Sequence, residues 1–135
     1  MAYKVNMIAG VTNEYAVQLN LRGIKYAEEY LSLVRTPAQR RELADVTGIP
    51  EKDILRWANH CDLMRIHGIG PQYAEFFEMA GVDTVKELSH RVPENLLVKL
   101  EEVNAEKHMT KRVPALKEVK RYVKEANELP PMLEY

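Results

Sequence analysis

The chain has 135 residues and a mass of 15.6 kDa, which fits one domain or two very small domains that share a core. Hydrophobic residues make up 46% and charged residues 29%, a composition that is typical of a globular protein and excludes a disordered or fibrous chain. The 19 Lys and Arg residues against 20 Asp and Glu residues give a formal net charge of -1, which excludes a binder that works through bulk positive charge.

The lack of recognisable targeting segments and the single cysteine both favour a cytoplasmic location. No apolar run approaches the roughly 20 residues that a membrane span needs, so no membrane partner is expected. The first residues, MAYKVNMIAGVTNEY, lack the apolar stretch of about 7–15 residues that a secretory signal contains. The single cysteine, Cys61, has no partner for an internal disulfide. We therefore expect a cytoplasmic protein.

Helical periodicity dominates the chain, and no segment alternates with the period of two that a strand requires. Breaks at Gly23, Gly48, Gly81 and Pro93 divide much of it into helices of roughly 8–14 residues. An amphipathic pattern predicts one helix from Pro50 to Leu63 and another from Pro114 to the Pro130-Pro131 pair. The sequence therefore predicts an all-α fold, a compact bundle of short helices with short connections.

An internal repeat lies within this pattern. Residues 8–31 align with residues 66–89 at a constant offset of 58, with six identities: Ile8, Gly10, Tyr15, Ala16, Gly23 and Glu29 match Ile66, Gly68, Tyr73, Ala74, Gly81 and Glu87. Further along, Pro50-Glu51 aligns with Pro93-Glu94 at an offset of 43, so the first copy has extra residues between Arg35 and Ile49. We predict a first unit over 1–63 with an inserted helix near 36–48, a second unit over 64–129 that ends in an amphipathic helix, and a tail over 130–135. Neither copy is large enough to fold alone, so both units are expected to share one core.

The sharpest motif is the turn Gly68-Ile69-Gly70, which follows one predicted helix and precedes another that opens at Pro71. The two glycines permit positive φ and leave no side chain between the backbone and a ligand, while Ile69 can turn inward. Main-chain N–H groups beside the start of a helix favour an anion such as phosphate. Such a turn would hold a nucleic-acid backbone without reading its sequence.

At these residues the chain resembles the helix-hairpin-helix superfamily, and the stretch from Ile66 to Leu88 looks like the N-terminal domain of archaeal RecA-like recombinases. The wider chain is similar to a bacterial and archaeal family called domain of unknown function 4332, through LADVTGIPEKDILRWANHCDLMRIHGIG and RVPENLLVKLEEVNAEK. The superfamily resemblance implies that Gly68, Ile69 and Gly70 form a hairpin that faces phosphate. By the repeat, Gly10, Val11 and Thr12 form a degenerate hairpin in the first copy, because Thr12 replaces the second glycine.

Cations near the second hairpin and in the last quarter of the chain are the other candidate contacts with nucleic acid. Arg65 and Gln72 flank the hairpin, and Lys111 and Arg112 fall in a predicted loop. Four further cations share one face of the last helix: Lys117, Lys120, Arg121 and Lys124. Such a face can supply the salt-dependent part of binding, or it can simply be solvated. The acidic residues Glu75 and Glu78, close to the hairpin, are expected to weaken the binding of an anion.

Catalysis and metal binding are not expected. The cluster of His60, Cys61 and His67 lacks the four ligands and paired spacing of a zinc site, so we expect no metal and interpret Cys61 as a buried hydrophobe. No Ser-His-Asp pattern or phosphate-binding lysine loop is present, and the expected core is too small to spare a substrate pocket. We therefore expect no enzymatic activity, no cofactor and no small-molecule substrate.

Two functions remain open. The first is a non-enzymatic module that binds the backbone of DNA or structured RNA without sequence specificity, and DNA is the favoured interpretation. The alternative is a protein-interaction or scaffolding module that kept the fold and lost phosphate binding. Its contacts would run through Met132 and Leu133 in the tail or through the inserted helix around Arg40 to Val46.

Overall fold

A computed structural model describes residues 2–135, and the fold of this part is all-α, as predicted. A short 3-10 helix at Val5–Met7 is followed by eight α-helices: α1 Asn13–Asn20, α2 Ala27–Leu33, α3 Pro37–Thr47, α4 Glu51–Leu63, α5 Pro71–Met79, α6 Val85–Ser89, α7 Pro93–Lys107 and α8 Leu116–Glu128. The only β-type pairing in the described chain is an isolated antiparallel bridge between Lys4 and Tyr26. Within residues 2–135, no helix combines the length and the apolar character that a membrane span requires.

Helix ends follow from local chemistry. Three threonine hydroxyls accept an N–H group from the first turn of the helix that follows: Thr12 from Tyr15 at 3.2 Å, Thr36 from Gln39 at 3.1 Å and Thr84 from Glu87 at 3.1 Å. Helices α3, α5 and α7 each start with a proline, whose missing N–H costs nothing at that position. The two helices predicted from amphipathic patterns are confirmed as α4 and α8, and Pro130-Pro131 follows the end of α8.

The chain divides into two compact units, the first formed by the described residues up to Asp62 together with Met132–Tyr135. Trp57 on α4 is 1% exposed and packs against the rings of Tyr15 and Tyr30, at centroid distances of 5.5 Å and 6.4 Å. The Tyr30 hydroxyl donates to the Ile54 carbonyl at 2.7 Å, which joins α2 to α4 inside this core. An aromatic cluster with its buried hydroxyl satisfied therefore holds the first unit together.

The end of the tail, Met132–Tyr135, is part of this first unit. The Glu134 N–H donates to the Arg35 carbonyl at 2.8 Å, and Arg40, only 3% exposed, donates to the carbonyls of Val34, Arg35 and Glu134. Arg40 also lies 5.7 Å from the centre of the Tyr135 ring. A buried guanidinium with several carbonyl acceptors is fully engaged in structure, so Arg40 is not the exposed contact that a protein-binding inserted helix would need.

The second unit is Leu63–Pro131. Its core is built from apolar side chains of α5 to α8, of which these are fully buried: Phe76, Phe77, Leu88, Leu96, Leu100 and Val119. Helix α8 packs against both α6 and α7, and the Phe77 ring meets the Tyr122 ring edge-on at 5.9 Å. Helix α8 therefore closes the core of this unit.

The repeat of residues 8–31 and 66–89 recurs in the backbone conformation of the two units. The matched glycines have nearly equal φ values: +90° at Gly10 and +94° at Gly68, then +81° at Gly23 and +89° at Gly81. The matched turns close with the same hydrogen bond, from the Val11 N–H to the Ile8 carbonyl and from the Ile69 N–H to the Ile66 carbonyl, each 3.1 Å long. The sequence similarity therefore corresponds to two copies of one backbone motif.

The later helices pair differently from the sequence alignment. A methyl group on Gly10 would lie 2.9 Å from Nη1 of Arg56 on α4, and one on Gly68 would lie 3.0 Å from Nη2 of Arg121 on α8. The surrounding sequences, KDILRW over 52–57 and KEVKRY over 117–122, are alike at the same points. We therefore pair α4 with α8 by their positions beside the hairpin glycines. A helix is present at Pro37–Thr47, within the predicted insertion, and its origin as an insertion stays a prediction.

Candidate functional site

The turn that the sequence singles out, residues 66–70 and here called hairpin 2, connects α4 to α5. Gly68 is exposed with φ at +94°, a conformation in which any side chain is strained. Ile69 is 1% exposed, so the inward orientation expected of it is confirmed. Gly70 is the N-terminal cap of α5 in an extended conformation, directly before Pro71. Hairpin 2 therefore has an apolar anchor between two glycines.

The corresponding turn of the first unit, residues 8–12 and here called hairpin 1, has the same shape but a different cap. Val11 is 9% exposed and Gly10 has φ at +90°, so Thr12 does not distort the turn. The Thr12 hydroxyl accepts the Tyr15 N–H, a donor of the first helical turn. In hairpin 2 no side chain caps α5, because Gly70 has none. The two hairpins differ in whether these donors are already engaged.

Helix α8 lies against hairpin 2 through two charged side chains. Arg121 donates through Nη2 to the His67 carbonyl at 2.9 Å, and the Glu125 carboxylate accepts the His67 N–H at 3.1 and 3.2 Å. The two side chains also pair with each other, with Arg121 Nη1 lying 3.3 Å from Glu125 Oε1. Both polar groups of the His67 residue's backbone are thus held by α8.

The ring of Tyr122 supports the arginine of this pair. The Arg121 guanidinium lies 4.8 Å from the centre of that ring, and a methyl group on Gly68 would lie 3.3 Å from the tyrosine Cε1 and Oη. Burial is the main reason that the pKa of Tyr122 is raised, with Glu118 and Tyr73 adding to it and Arg121 opposing it. The tyrosine therefore stays neutral and serves as an apolar platform beneath Arg121.

The cations predicted on the last helix lie together. Lys117, Lys120, Arg121 and Lys124 are exposed and line one shallow surface that begins at Leu116; this set of four is called the α8 basic face. Arg121 belongs both to this face and to the contacts with hairpin 2. The structure therefore places one cation of the α8 basic face, Arg121, beside Gly68.

Three of the other predicted contacts, Arg65, Gln72 and Arg112, are engaged elsewhere in the second unit. Arg65 donates to the Pro130 carbonyl at 2.5 Å, and Gln72 donates to the Met109 carbonyl at 2.7 Å. Arg112 pairs with Glu118 at 2.9 Å, whereas Lys111 is exposed in the loop that follows α7. Arg65, Gln72 and Arg112 therefore support loops and helix ends, and Arg121 is the predicted cation for which a contact with hairpin 2 is observed.

The cysteine and the histidines near it form no evident metal centre. Cys61 is 3% exposed, which confirms its interpretation as a buried hydrophobe, and burial raises the pKa of its thiol, with Asp62 and Glu28 adding to the effect. Among residues 2–135, no group of three or more His, Cys, Asp and Glu side chains is arranged to hold a metal ion.

Two features of the site were not predicted from the sequence. Glu125 contacts hairpin 2 from 58 positions away, a distance at which no local pattern could indicate it. Tyr122 does have a sequence signal, because the Arg-aromatic pair of KEVKRY recurs as Arg56-Trp57 in KDILRW. Both pairs lie beside the first glycine of a hairpin.

Comparisons with known proteins give one finding. A family model described as Domain of unknown function (DUF4332) matches residues 9–129. Comparison with curated proteins and comparison with solved structures each find no match to this chain. Since the family model covers most of the chain, including hairpin 2 and all eight α-helices, the chain belongs to the DUF4332 family.

Proposed function

We propose that the protein is a non-enzymatic helix-hairpin-helix module that binds the phosphate backbone of nucleic acid, with DNA as the favoured ligand, without sequence specificity. The observation that carries the proposal is the position of Arg121, which reaches hairpin 2 from the α8 basic face. A phosphate beside Gly68 would meet no side chain of that residue, and the next phosphates could follow the lysines along α8.

Charge and hydrogen bonding set the expected affinity. The α8 basic face offers four cations, whereas the chain as a whole has a net charge of -1, so few phosphates would be neutralised. Non-specific binding at physiological salt is usually on the order of 10⁻⁴–10⁻⁶ M, and we expect this protein in the same range. Binding should weaken steeply with salt, because each neutralised phosphate contributes a slope of about -0.9 on logarithmic axes.

The test is fluorescence anisotropy with a labelled duplex, titrated at low and then at moderate salt. The informative variant is K117Q/K120Q/K124Q, which removes three cations of the α8 basic face. Its matched control is K4Q/K25Q/K52Q, which changes the charge equally at exposed lysines of the first unit. We expect the α8 variant to lose most of the binding and part of the salt slope, and the control to lose little. No saturable signal at low salt with tens of micromolar wild-type protein would exclude the function.

A second candidate function is protein interaction, and one observation favours it. Val17 and Leu21 are 55% and 76% exposed and lie one turn apart at the end of α1. The tail residues Met132 and Leu133, which the sequence suggested for this role, are half-buried. A pull-down from nuclease-treated lysate with wild type and with V17S/L21S would separate the functions. A partner that survives nuclease and is lost with the variant would favour protein interaction.

A further inference from the structure

We propose that the Glu125 carboxylate is an internal competitor that occupies the phosphate site of hairpin 2. The inference rests on the proposed function and deepens it, since it names the atoms that hold the phosphate and the group that must leave. The site consists of the His67 N–H and the Arg121 guanidinium, and in the structure both donate to the same carboxylate.

The geometry around Glu125 is that of a bound anion. Its two oxygens lie 3.2 and 3.1 Å from the His67 nitrogen, and Oε1 lies 3.3 Å from Arg121 Nη1. A carboxylate and a phosphate present the same kind of acceptor oxygens to such donors. Both Gly68 and the Arg121 side chain are exposed, so an incoming phosphate could approach the turn from solvent.

The internal contact is also weak enough to be displaced. The Arg121 and Glu125 side chains are 45% and 26% exposed, and ion pairs in such positions contribute little because solvent screens them. The two residues are one helical turn apart on α8, so Glu125 can swing into solvent without moving the helix. Arg121 would then keep its bond to the His67 carbonyl and turn its other donors to the phosphate.

Glu125→Gln is the decisive variant, because it keeps the size of the side chain and one acceptor oxygen but removes the charge that competes with phosphate. Glu128→Gln is the matched control, since Glu128 is exposed near the end of the same helix and its loss changes the net charge equally. With a labelled duplex at low salt, we expect E125Q to bind roughly five-fold more tightly than wild type, and E128Q to stay within about two-fold. Equal changes in the two variants would overturn the proposal.

A second measurement uses inorganic phosphate and the unmodified protein, so it does not depend on whether a variant folds. In an NMR titration, the His67 and Gly68 amide resonances and the Glu125 carboxyl resonance should shift with one shared dissociation constant. The displacement would be refuted if phosphate left the His67 and Gly68 amide resonances unchanged. It would also be refuted if phosphate shifted these amides and left the Glu125 carboxyl resonance unchanged. If phosphate displaces Glu125 but no variant binds duplex, the anion site stands and the proposed function fails. If duplex binding depends on the lysines of α8 while E125Q matches E128Q, only the further inference fails.

Discussion

Replacing Gly68 by alanine tests the packing of α8 against hairpin 2. The substitution has two costs. The first is the positive φ of +94°, which costs an L-residue about 1–2 kcal/mol. The second is specific to this site, because the new methyl group would lie 3.0 Å from Arg121 Nη2 and 3.3 Å from Tyr122 Cε1. Arg121 would have to move, and its bond to the His67 carbonyl would weaken.

A matched glycine separates these costs. Gly81 has nearly the same φ, +89°, and a methyl group there would meet its nearest neighbour, Arg91 Nη1, at 3.8 Å, an ordinary contact. Both variants share the backbone strain and the lower entropy of the unfolded chain. The displaced hydrogen bond should add about 1 kcal/mol to the free-energy cost at Gly68. This value is lower than for a fully buried charged donor, because solvent screens the partly exposed Arg121.

Urea unfolding followed by circular dichroism provides the comparison, with the free energies of unfolding taken from parallel slopes. We expect Gly68→Ala to destabilise the protein by about 1 kcal/mol more than Gly81→Ala. Most of this excess should disappear when Gly68→Ala is made in an Arg121→Ala background, because the displaced group is then absent. Equal costs for the two glycines in the wild-type background would refute the packing that we describe.

Three further predictions concern the first unit. Arg40→Met removes the donors to the Val34, Arg35 and Glu134 carbonyls, so hydrogen exchange at the Glu134 amide should accelerate at least ten-fold. The control is Arg41→Met at the exposed neighbouring residue, which should leave the exchange rate unchanged. Tyr30→Phe should cost about 1 kcal/mol of unfolding free energy by urea titration, because the buried bond to the Ile54 carbonyl is lost; no change would mean that this bond contributes nothing. Burial raises the pKa of the Cys61 thiol, so above pH 9 the unfolded chain loses this proton and the native protein keeps it. Stability should therefore fall by about 1 kcal/mol between pH 8 and pH 10 in wild type relative to Cys61→Ala, and parallel pH profiles would contradict this.

The sequence predicts the parts of the fold that depend on local pattern. Helices α4 and α8 follow from their apolar periodicity, and the repeat at an offset of 58 reappears as matched φ values at Gly10 and Gly68. Breaks such as Gly48 fall where they do because a helix ends in a left-handed conformation that glycine adopts without cost. Each of these signals lies within a few residues of the structure that it specifies.

Contacts between distant residues could not be predicted in the same way. Arg40 has the polarity of a surface residue, yet it is buried because carbonyls from two separate segments surround it. Glu125 lies beside the basic residues Arg121 and Lys124 on α8, and only the packing of this helix brings it to His67. The pairing of α4 with α8 likewise depends on packing, because it is the approach of Arg56 to Gly10 and of Arg121 to Gly68 that identifies it.

The two units use the equivalent helix face differently. When Arg56 is aligned with Arg121, the α8 basic face corresponds to four residues of α4: Lys52, Leu55, Arg56 and Asn59. At two of the four positions, α4 therefore carries Leu55 and Asn59 where α8 carries Lys120 and Lys124. The tail also lies on this surface, because the Tyr135 hydroxyl donates to Asn59 Oδ1 at 2.7 Å and Tyr135 borders a shallow groove with Lys52 and Leu55.

This difference limits where a phosphate backbone could bind. In the first unit, Thr12 already accepts an N–H group of the helix that follows hairpin 1, and the face of α4 carries fewer cations beneath the tail. In the second unit, Gly70 supplies no cap, and the face of α8 is exposed and basic. A shared hairpin geometry is therefore not sufficient for the proposed function. Binding should depend on the charge of α8. Nucleic acid should therefore perturb the amide resonances of hairpin 2 and leave those of hairpin 1 unchanged. Equal perturbation of both hairpins would contradict the assignment of binding to α8.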